Sequence, residues 1–480
     1  MSESIMNTAW SSLNRDKYIS RLKNETFDLL VIGGGITGAG IVREAALRGL
    51  KAALIDKHDF AFGTSSRSSK MAHGGFRYLA YREFKLVREA TTERNWLRTH
   101  FTHNVRPLKM YMIGAENVGI TPAEVKLGIK IYDSLSNVFS SFKQYGKHHF
   151  YKNEAACQIQ PNMRHDGLEL LGEYYDTNLD DARLVIETIK ESVYLGDCIA
   201  VNYVSAENFV KQDGVHGGKI VGVTVHDSIS DTKFQISANH IINATGIWTD
   251  ELLPPDHRKI IRPTKGVHVV VPSNRVGNVD GIGMTSIDDG RTFFVLNREG
   301  ITLIGTTDTD YLDKKNLQPN EDLGYPYCDK EDCDYLFKSV NYLFPEANLT
   351  YDDIISTFAG VRPLVMEEGK DESAVSRKHA IFDTEDGLTT ICGGKLTTFR
   401  KMAEELMYYL MLKDESLANK VSKSQKKKNY SRKPYLINLT RREWDKFLQS
   451  EQSRIPDLPS NILEYLYIQY GKGAMEIIDL

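Results

Sequence analysis

The spacing of apolar residues changes several times along the 480-residue chain, and each change marks an element. Residues 27–32, "FDLLVI", form an unbroken apolar run, the pattern of a strand covered on both faces. "ITGAGIVREAALRG" then places apolar positions at helical spacing and closes on Gly49, a C-cap residue, before "KAALID" returns to a buried-strand pattern. These three segments predict one βαβ unit opening a parallel sheet. Helical periodicity recurs in "YREFKLVREATTERNWLRTH" and "DDARLVIETIKESVYLG", the second leading into the strand-like "CIAVNYV". Alternating patterns in "GGKIVGVTVHD", "TKFQISANHIINATG", "KGVHVVVP" and "RTFFVLNREGITLIGTTDTD" predict antiparallel strands. "GLTTICGG" reads as a strand entering the helix "KLTTFRKMAEELMYYLML", on which Leu396, Phe399, Ala403, Leu406 and Leu410 form one apolar stripe.

Buried-strand patterns near both ends of the main body, with alternating strands between, predict an α/β fold with a discontinuous Rossmann-like nucleotide-binding domain. Its segments are 27–105, 176–262 and 381–412, and the inserted antiparallel-sheet substrate domain takes 106–175 and 263–380. Residues 413–480 are expected to be a basic linker, "SKSQKKKNYSRK", solvated or drawn to acidic lipid, followed by a partial helical tail that caps the body or closes a homodimer. The tail still reads as helix where the sequence stops, so the expectation is a short or cut C-terminal domain.

Composition narrows the class. Apolar residues make up 41% and charged residues 26%, ordinary for a globular protein, and a formal charge of −4 gives no sign of a nucleic-acid partner. No apolar run reaches the roughly 18 residues of a membrane span, and the N-terminal residues lack a secretory apolar stretch, so a cytoplasmic location is expected, at most peripheral on a membrane. Cys157, Cys198, Cys328, Cys333 and Cys392 are scattered without C-x-x-C spacing and predict reduced thiols, with neither a disulfide framework nor a metal site.

The chemistry begins at Gly33, Gly35 and Gly38, a G-x-G-x-x-G between strand and helix. Its glycines allow a tight turn, close approach to a pyrophosphate and close helix–strand packing. Asp56 ends the second strand at the place, roughly 20 residues on, where an acid accepts ribose hydroxyls. FAD and NAD share this fingerprint. Three further stretches favour FAD: the hydroxyl-rich loop with Thr64, Ser65, Ser66 and Ser69 followed by His73, Gly74 and Gly75; Ala244, Thr245 and Gly246 ending another strand; and Gly393 and Gly394 opening the helix that carries Leu396 and Thr397.

"TSSRSSKMAHGGFRYL", "INATGIW", "KGVHVVVP", "LIGTTDTDY", "FAGVRPL" and "GGKLTTFRKMAE", in this order after the glycine motif, resemble FAD-dependent glycerol-3-phosphate dehydrogenase of the single-subunit, aerobic type over about residues 27–405. The resemblance implies a glycine-oxidase-like flavoprotein fold. It also implies oxidation of sn-glycerol 3-phosphate to dihydroxyacetone phosphate, with electrons passed to a quinone or, in oxidase members, to oxygen. An amine or amino-acid oxidase on the same fold is the alternative, as is a non-catalytic flavin- or NAD-binding protein with a regulatory role. Positions matching the family's substrate residues are Arg77, Tyr78, His268, Arg362, Arg377 and Lys395. Arg77, Tyr78 and Arg377 are assigned to the phosphate, which suits guanidinium. His268 is assigned as general base, with Arg362 and Lys395 orienting the substrate oxygens and offsetting developing charge.

Overall fold

In a computed structural model, residues 10–115, 120–137, 142–212, 218–311, 323–366 and 378–479 are described, and they build two sheets. The apolar run becomes the strand Thr26–Ile32 at the centre of an eight-stranded mixed sheet. It pairs in parallel with Ala52–Ile55 on one side and Thr232–Asn243 on the other, and Cys198–Val201 and Thr389–Gly393 extend this parallel core. An antiparallel ribbon, Val204–Gln212 with Lys219–Asp227, hangs from Thr232–Asn243.

Three helices, Ile36–Leu47, Asp181–Leu195 and Phe399–Lys413, share one apolar core against this sheet. They approach closely because Gly40 has no side chain: a Cβ there would lie 2.8 Å from the Phe399 ring. Phe399, Ala403, Leu406 and Leu410 from the predicted stripe are all buried in that core. Truncating Leu406 to alanine would cost about 2–5 kcal/mol. The first helix ends as its pattern predicts, with Gly49 at φ +75° and Leu50 N–H donating back to Ala45 O at 3.0 Å. Arg15–Asn24 covers the opposite face through Tyr18, Ile19 and Leu22.

The second sheet has ten strands. Its long members are Arg106–Gly114, Leu170–Asn178, Ile261–Pro272 and Ser356–Val365, mostly antiparallel, while Gly281–Thr285 runs parallel to Arg106–Gly114. Helix Lys330–Leu343 packs on one face, with Leu336, Phe337 and Val340 against Val269, Val271 and Ile304. Helix Pro122–Asn137 covers the other. Leu170–Asn178 and Ile261–Pro272 run past the expected 175/176 and 262/263 boundaries by a few residues, and two short strands depart from the expected division in their pairing. Met71–Ala72 lies within 27–105 but pairs with Leu170–Asn178 in the second sheet, and His379–Asp383 joins the first sheet across the 380/381 boundary. Both are short, so their partners rather than their own apolar pattern decide where they belong.

The basic segment carries solvated lysines, as expected, and is also tied to the body through its backbone. Lys423, Lys427 and Lys428 are exposed, but the backbone is pinned: Arg43 donates to Ser431 O and Lys433 O, both at 3.1 Å, and Arg48 to Gln425 O. Arg43 and Arg48 are buried, and burying guanidinium groups requires such acceptors. The tail helices Arg441–Arg454 and Ser460–Tyr470 follow, with Leu463 and Tyr467 buried and the Tyr467 ring against Trp444 and Phe447 of the preceding helix. Cys328 and Cys333 have their Sγ atoms 3.3 Å apart, a proximity that scattered spacing does not reveal, and all five cysteines are free thiols.

Candidate active site

A cavity of ≈ 340 Å³ lies between the two sheets and is lined from both. Its first wall is the turn after Thr26–Ile32. Gly33 sits at φ +113°, and a Cβ there would lie 2.5 Å from Ala244 O. Gly35, itself without a side chain, N-caps the helix Ile36–Leu47 and lines the cavity, with Ser65 Oγ on the first helical amide. Gly38 does not line the cavity; its missing side chain lets the helix touch Gly33 O. Asp56 accepts from Gly34 N at 2.6 Å and His58 N at 2.7 Å, which fixes its carboxylate beside the turn. Burial pushes that carboxyl up to about 6, against the opposing hydrogen bonds from His58 and Gly34.

The hydroxyl-rich loop is held from behind. Thr64 donates to Val361 O at 2.6 Å, Ser65 Oγ accepts from Ile36 N at 2.9 Å, and Ser68 Oγ and Lys70 Nζ each lie 2.6 Å from the buried Asp181 carboxylate. Thr64, Ser65, Ser69, His73 and Gly75 line the cavity, whereas Ser66 and Gly74 do not. Gly74 packs under Thr91 and Tyr132, and its N–H donates to Tyr132 Oη at 2.8 Å and Asp176 Oδ1 at 3.1 Å. Ser66 O accepts from Lys70 Nζ at 2.6 Å, so both residues support the loop from within it. Ala244, Thr245 and Gly246 on one strand end, and Gly393, Gly394, Leu396 and Thr397 on another, complete the expected lining.

The residues expected to face the substrate, with those that contact them, come from five distant segments. The floor is the pair Ile261–Pro272 and Ser356–Val365, whose register sets Thr264 opposite Arg362, Gly266 opposite Gly360, and His268 opposite Phe358. Side chains two residues apart share a face, so Arg362 and His268 point the same way with two glycines between them. Arg362 Nη1 donates to Asp308 Oδ1 at 2.9 Å, and Nη2 to Thr306 Oγ1 at 2.9 Å and Thr307 O at 3.1 Å. Arg77, on the short helical turn Phe76–Leu79, brings Nη2 to 3.7 Å from Asp308 Oδ2. Lys395 Nζ stands 3.7 Å above the Tyr78 ring, and a Cβ on Gly75 would lie 3.0 Å from it.

His268 is 2% exposed, stacks on Phe358 at 4.7 Å and holds Ser69 Oγ at 2.9 Å through Nε2. Its Nδ1 is buried without a hydrogen-bond partner among the described residues. Burial first, then the charges of Arg362 and Lys70, push the imidazole down to about 3. The expected cluster of Arg77, Tyr78, His268, Arg362 and Lys395 is therefore brought together. Arg377 lies outside the described residues.

Sequence reasoning missed Asp308 and the aromatic wall near Asp56. Asp308 lies in "LIGTTDTDY", one of the motifs of the resemblance, where a polar run leaves an apolar strand, but no role was attached to it. The wall consists of Trp248 and Phe62, stacked at 6.4 Å, with Lys57 Nζ 4.4 Å over the Trp248 ring. The lining fits a flavin dinucleotide on this chain's own features: a cradle that a Cβ at Gly33 would close, a glycine-capped helix N-terminus, an acid at the ribose position and an unpartnered imidazole nitrogen at the far end.

Residues 28–400 match the family described as DAO, FAD dependent oxidoreductase. The chain is 40% identical over 406 residues to the aerobic glycerol-3-phosphate dehydrogenase of Bacillus subtilis, covering 84% of this chain and 70% of that protein. It superposes on the glycerol-3-phosphate dehydrogenase from Bacillus halodurans, solved in complex with FAD, with TM-score 0.77 and 30% identity over 98% of this chain and 81% of that one. Glycine oxidase from Bacillus cereus shares the fold alone, with TM-score 0.52 and 16% identity over 84% of this chain and 97% of that one. Fold, cavity and likeness agree, and the chain belongs to the FAD dependent oxidoreductases, in the group of aerobic glycerol-3-phosphate dehydrogenases.

Proposed function

We propose that this chain oxidises sn-glycerol 3-phosphate to dihydroxyacetone phosphate. The observation that carries the reading is the convergence of Arg77, Arg362 and Lys395 with a neutral, buried His268 at the end of the cavity away from Asp56. An amino-acid substrate would need one guanidinium for its carboxylate; several cations arriving from separate segments suit a phosphate dianion better. Arg77 and Tyr78 grip the phosphate, with Arg377 assigned to the same task. Arg362 directs its guanidinium at the substrate oxygens from the floor strand, and Lys395 offsets the charge developing beside it. His268 accepts the proton of the C2 hydroxyl. Its imidazole is unprotonated at working pH, and the incoming dianion offsets Arg362 and Lys70 and so raises its basicity. Bound FAD supplies the acceptor for the hydride that leaves C2.

The final electron acceptor in this reading is a quinone. No helix among the described residues is long and apolar enough to cross a membrane, but Lys423, Lys427 and Lys428 present cations attractive to acidic head groups. That supports peripheral work at the bilayer where quinones dissolve. The test is anaerobic addition of glycerol 3-phosphate to the FAD-loaded protein, followed by a quinone analogue or oxygen in separate samples. Bleaching of the flavin band and faster recovery with the quinone are expected. A flavin that stays oxidised under excess glycerol 3-phosphate ends the reading, and faster recovery with oxygen reassigns the acceptor.

A further inference from the structure

The two arginines of the substrate end reach one carboxylate. Asp308, its side chain 4% exposed, turns Oδ1 to Arg362 at 2.9 Å and Oδ2 towards Arg77 at 3.7 Å. Those arginines belong to different parts of the molecule, one on the turn beside the nucleotide loop and one on the floor strand. Like charges at such range repel, and a carboxylate between them both removes the repulsion and fixes the spacing of the guanidinium groups. Thr306 Oγ1 and Thr307 O, its neighbours in sequence, hold the other edge of Arg362, so residues 306–308 form one bracket.

An acid beside an anion site carries a cost: it repels the phosphate it helps to receive. A site selected only for tight anion binding would lack it. We infer that Asp308 is a positioning residue that clamps Arg77 and Arg362 in the orientation needed for turnover, at the expense of anion affinity. The inference rests on the substrate class proposed above. It assigns Asp308 to orientation, which raises kcat, rather than to uniform binding, which lowers KM.

The two effects separate in Asp308→Asn. Removing the charge relieves repulsion, so inorganic phosphate, tested as a competitive inhibitor, should bind as well as in the wild type or better. Loosened arginines should lower kcat by roughly 100-fold, the scale of a 1 Å misplacement. Asp308→Glu, which restores the charge on a longer arm, should recover part of kcat and return phosphate inhibition towards the wild-type value. FAD stoichiometry and the flavin spectrum are measured in all three proteins. An unchanged kcat in Asp308→Asn overturns the inference, as does a loss of phosphate binding in proportion to kcat in both variants. Loss of FAD from both variants also overturns it and makes Asp308 a residue of the fold. A wild-type flavin that glycerol 3-phosphate fails to reduce would instead sink the proposed substrate, so the two failures are told apart by the wild-type control.

Discussion

The two ends of the cavity are built from different materials. At the nucleotide end the backbone does most of the work: Gly33, Gly35 and the helix behind them offer space and amides, and Asp56 is fastened by two peptide N–H groups. At the substrate end the working parts are side chains, from Arg77, His268, Asp308, Arg362 and Lys395. Burial drives titration in opposite directions at the two ends, lifting Asp56 to about 6 and lowering His268 to about 3, because in each case it opposes the charged form. In the proposed function one end accepts a large neutral-to-anionic group by shape, and the other moves a proton beside fixed charges.

If that division is right, mutations should separate retention of cofactor from chemistry. The largest effect is expected from Arg362→Ala: flavin reduction by glycerol 3-phosphate falls about 1000-fold, the scale of removing an oriented charge-stabilising donor, while FAD stays bound. Stopped-flow absorbance and FAD content measure the two quantities, and release of FAD would erase the distinction. Gly33→Ala should do the reverse. A methyl at φ +113°, 2.5 Å from Ala244 O, strains the turn by about 1–3 kcal/mol. Equilibrium dialysis should show weaker FAD binding, and the molecules that keep FAD should reduce it at the wild-type rate.

The smallest effect concerns pH. Asp56 accepts hydrogen bonds as a carboxylate, so its protonation below about 6 removes an acceptor from the ribose position. FAD affinity should therefore weaken as pH falls through 6, and Asp56→Asn should bind more weakly at neutral pH while losing that dependence. A protonated His268 sets in only near 3, so it adds no limb to the free-enzyme profile in this window. The same shift fixes a sign for stability. The unfolded imidazole, near 6.5, takes up a proton that the folded one refuses, so His268 erodes stability as pH drops from about 6.5 towards 3.

The same contrast explains what could be read from the sequence. The nucleotide end is local: strand, glycine turn, helix, strand and acid occupy residues 26–56, and each leaves its mark in spacing. The substrate end is assembled from residues 77, 268, 308, 362 and 395, and periodicity says nothing about which distant side chains meet. The motifs holding those positions, Asp308 included, were legible through family resemblance, which marked motifs rather than contacts. Asp308 went unnoticed because an acid is not what anion chemistry calls for. The anchoring of the basic segment was illegible for a related reason: Arg43 and Ser431 are 388 residues apart, and a lysine-rich run looks equally solvated whether or not its peptide carbonyls are engaged. Short strands such as Met71–Ala72 carry too few positions to show any period at all.

Gly266 and Gly360 face each other on adjacent strands, on the stretch of floor between Arg362 and His268. A methyl on the first would press into the Arg362 guanidinium, and one on the second would come within 2.8 Å of Arg67 Cβ. Bare peptide planes are thus what let Arg362 and Arg67 lie down against the floor. In a chain drifting by mutation, these two positions with no functional group of their own should tolerate replacement as poorly as the charged residues beside them.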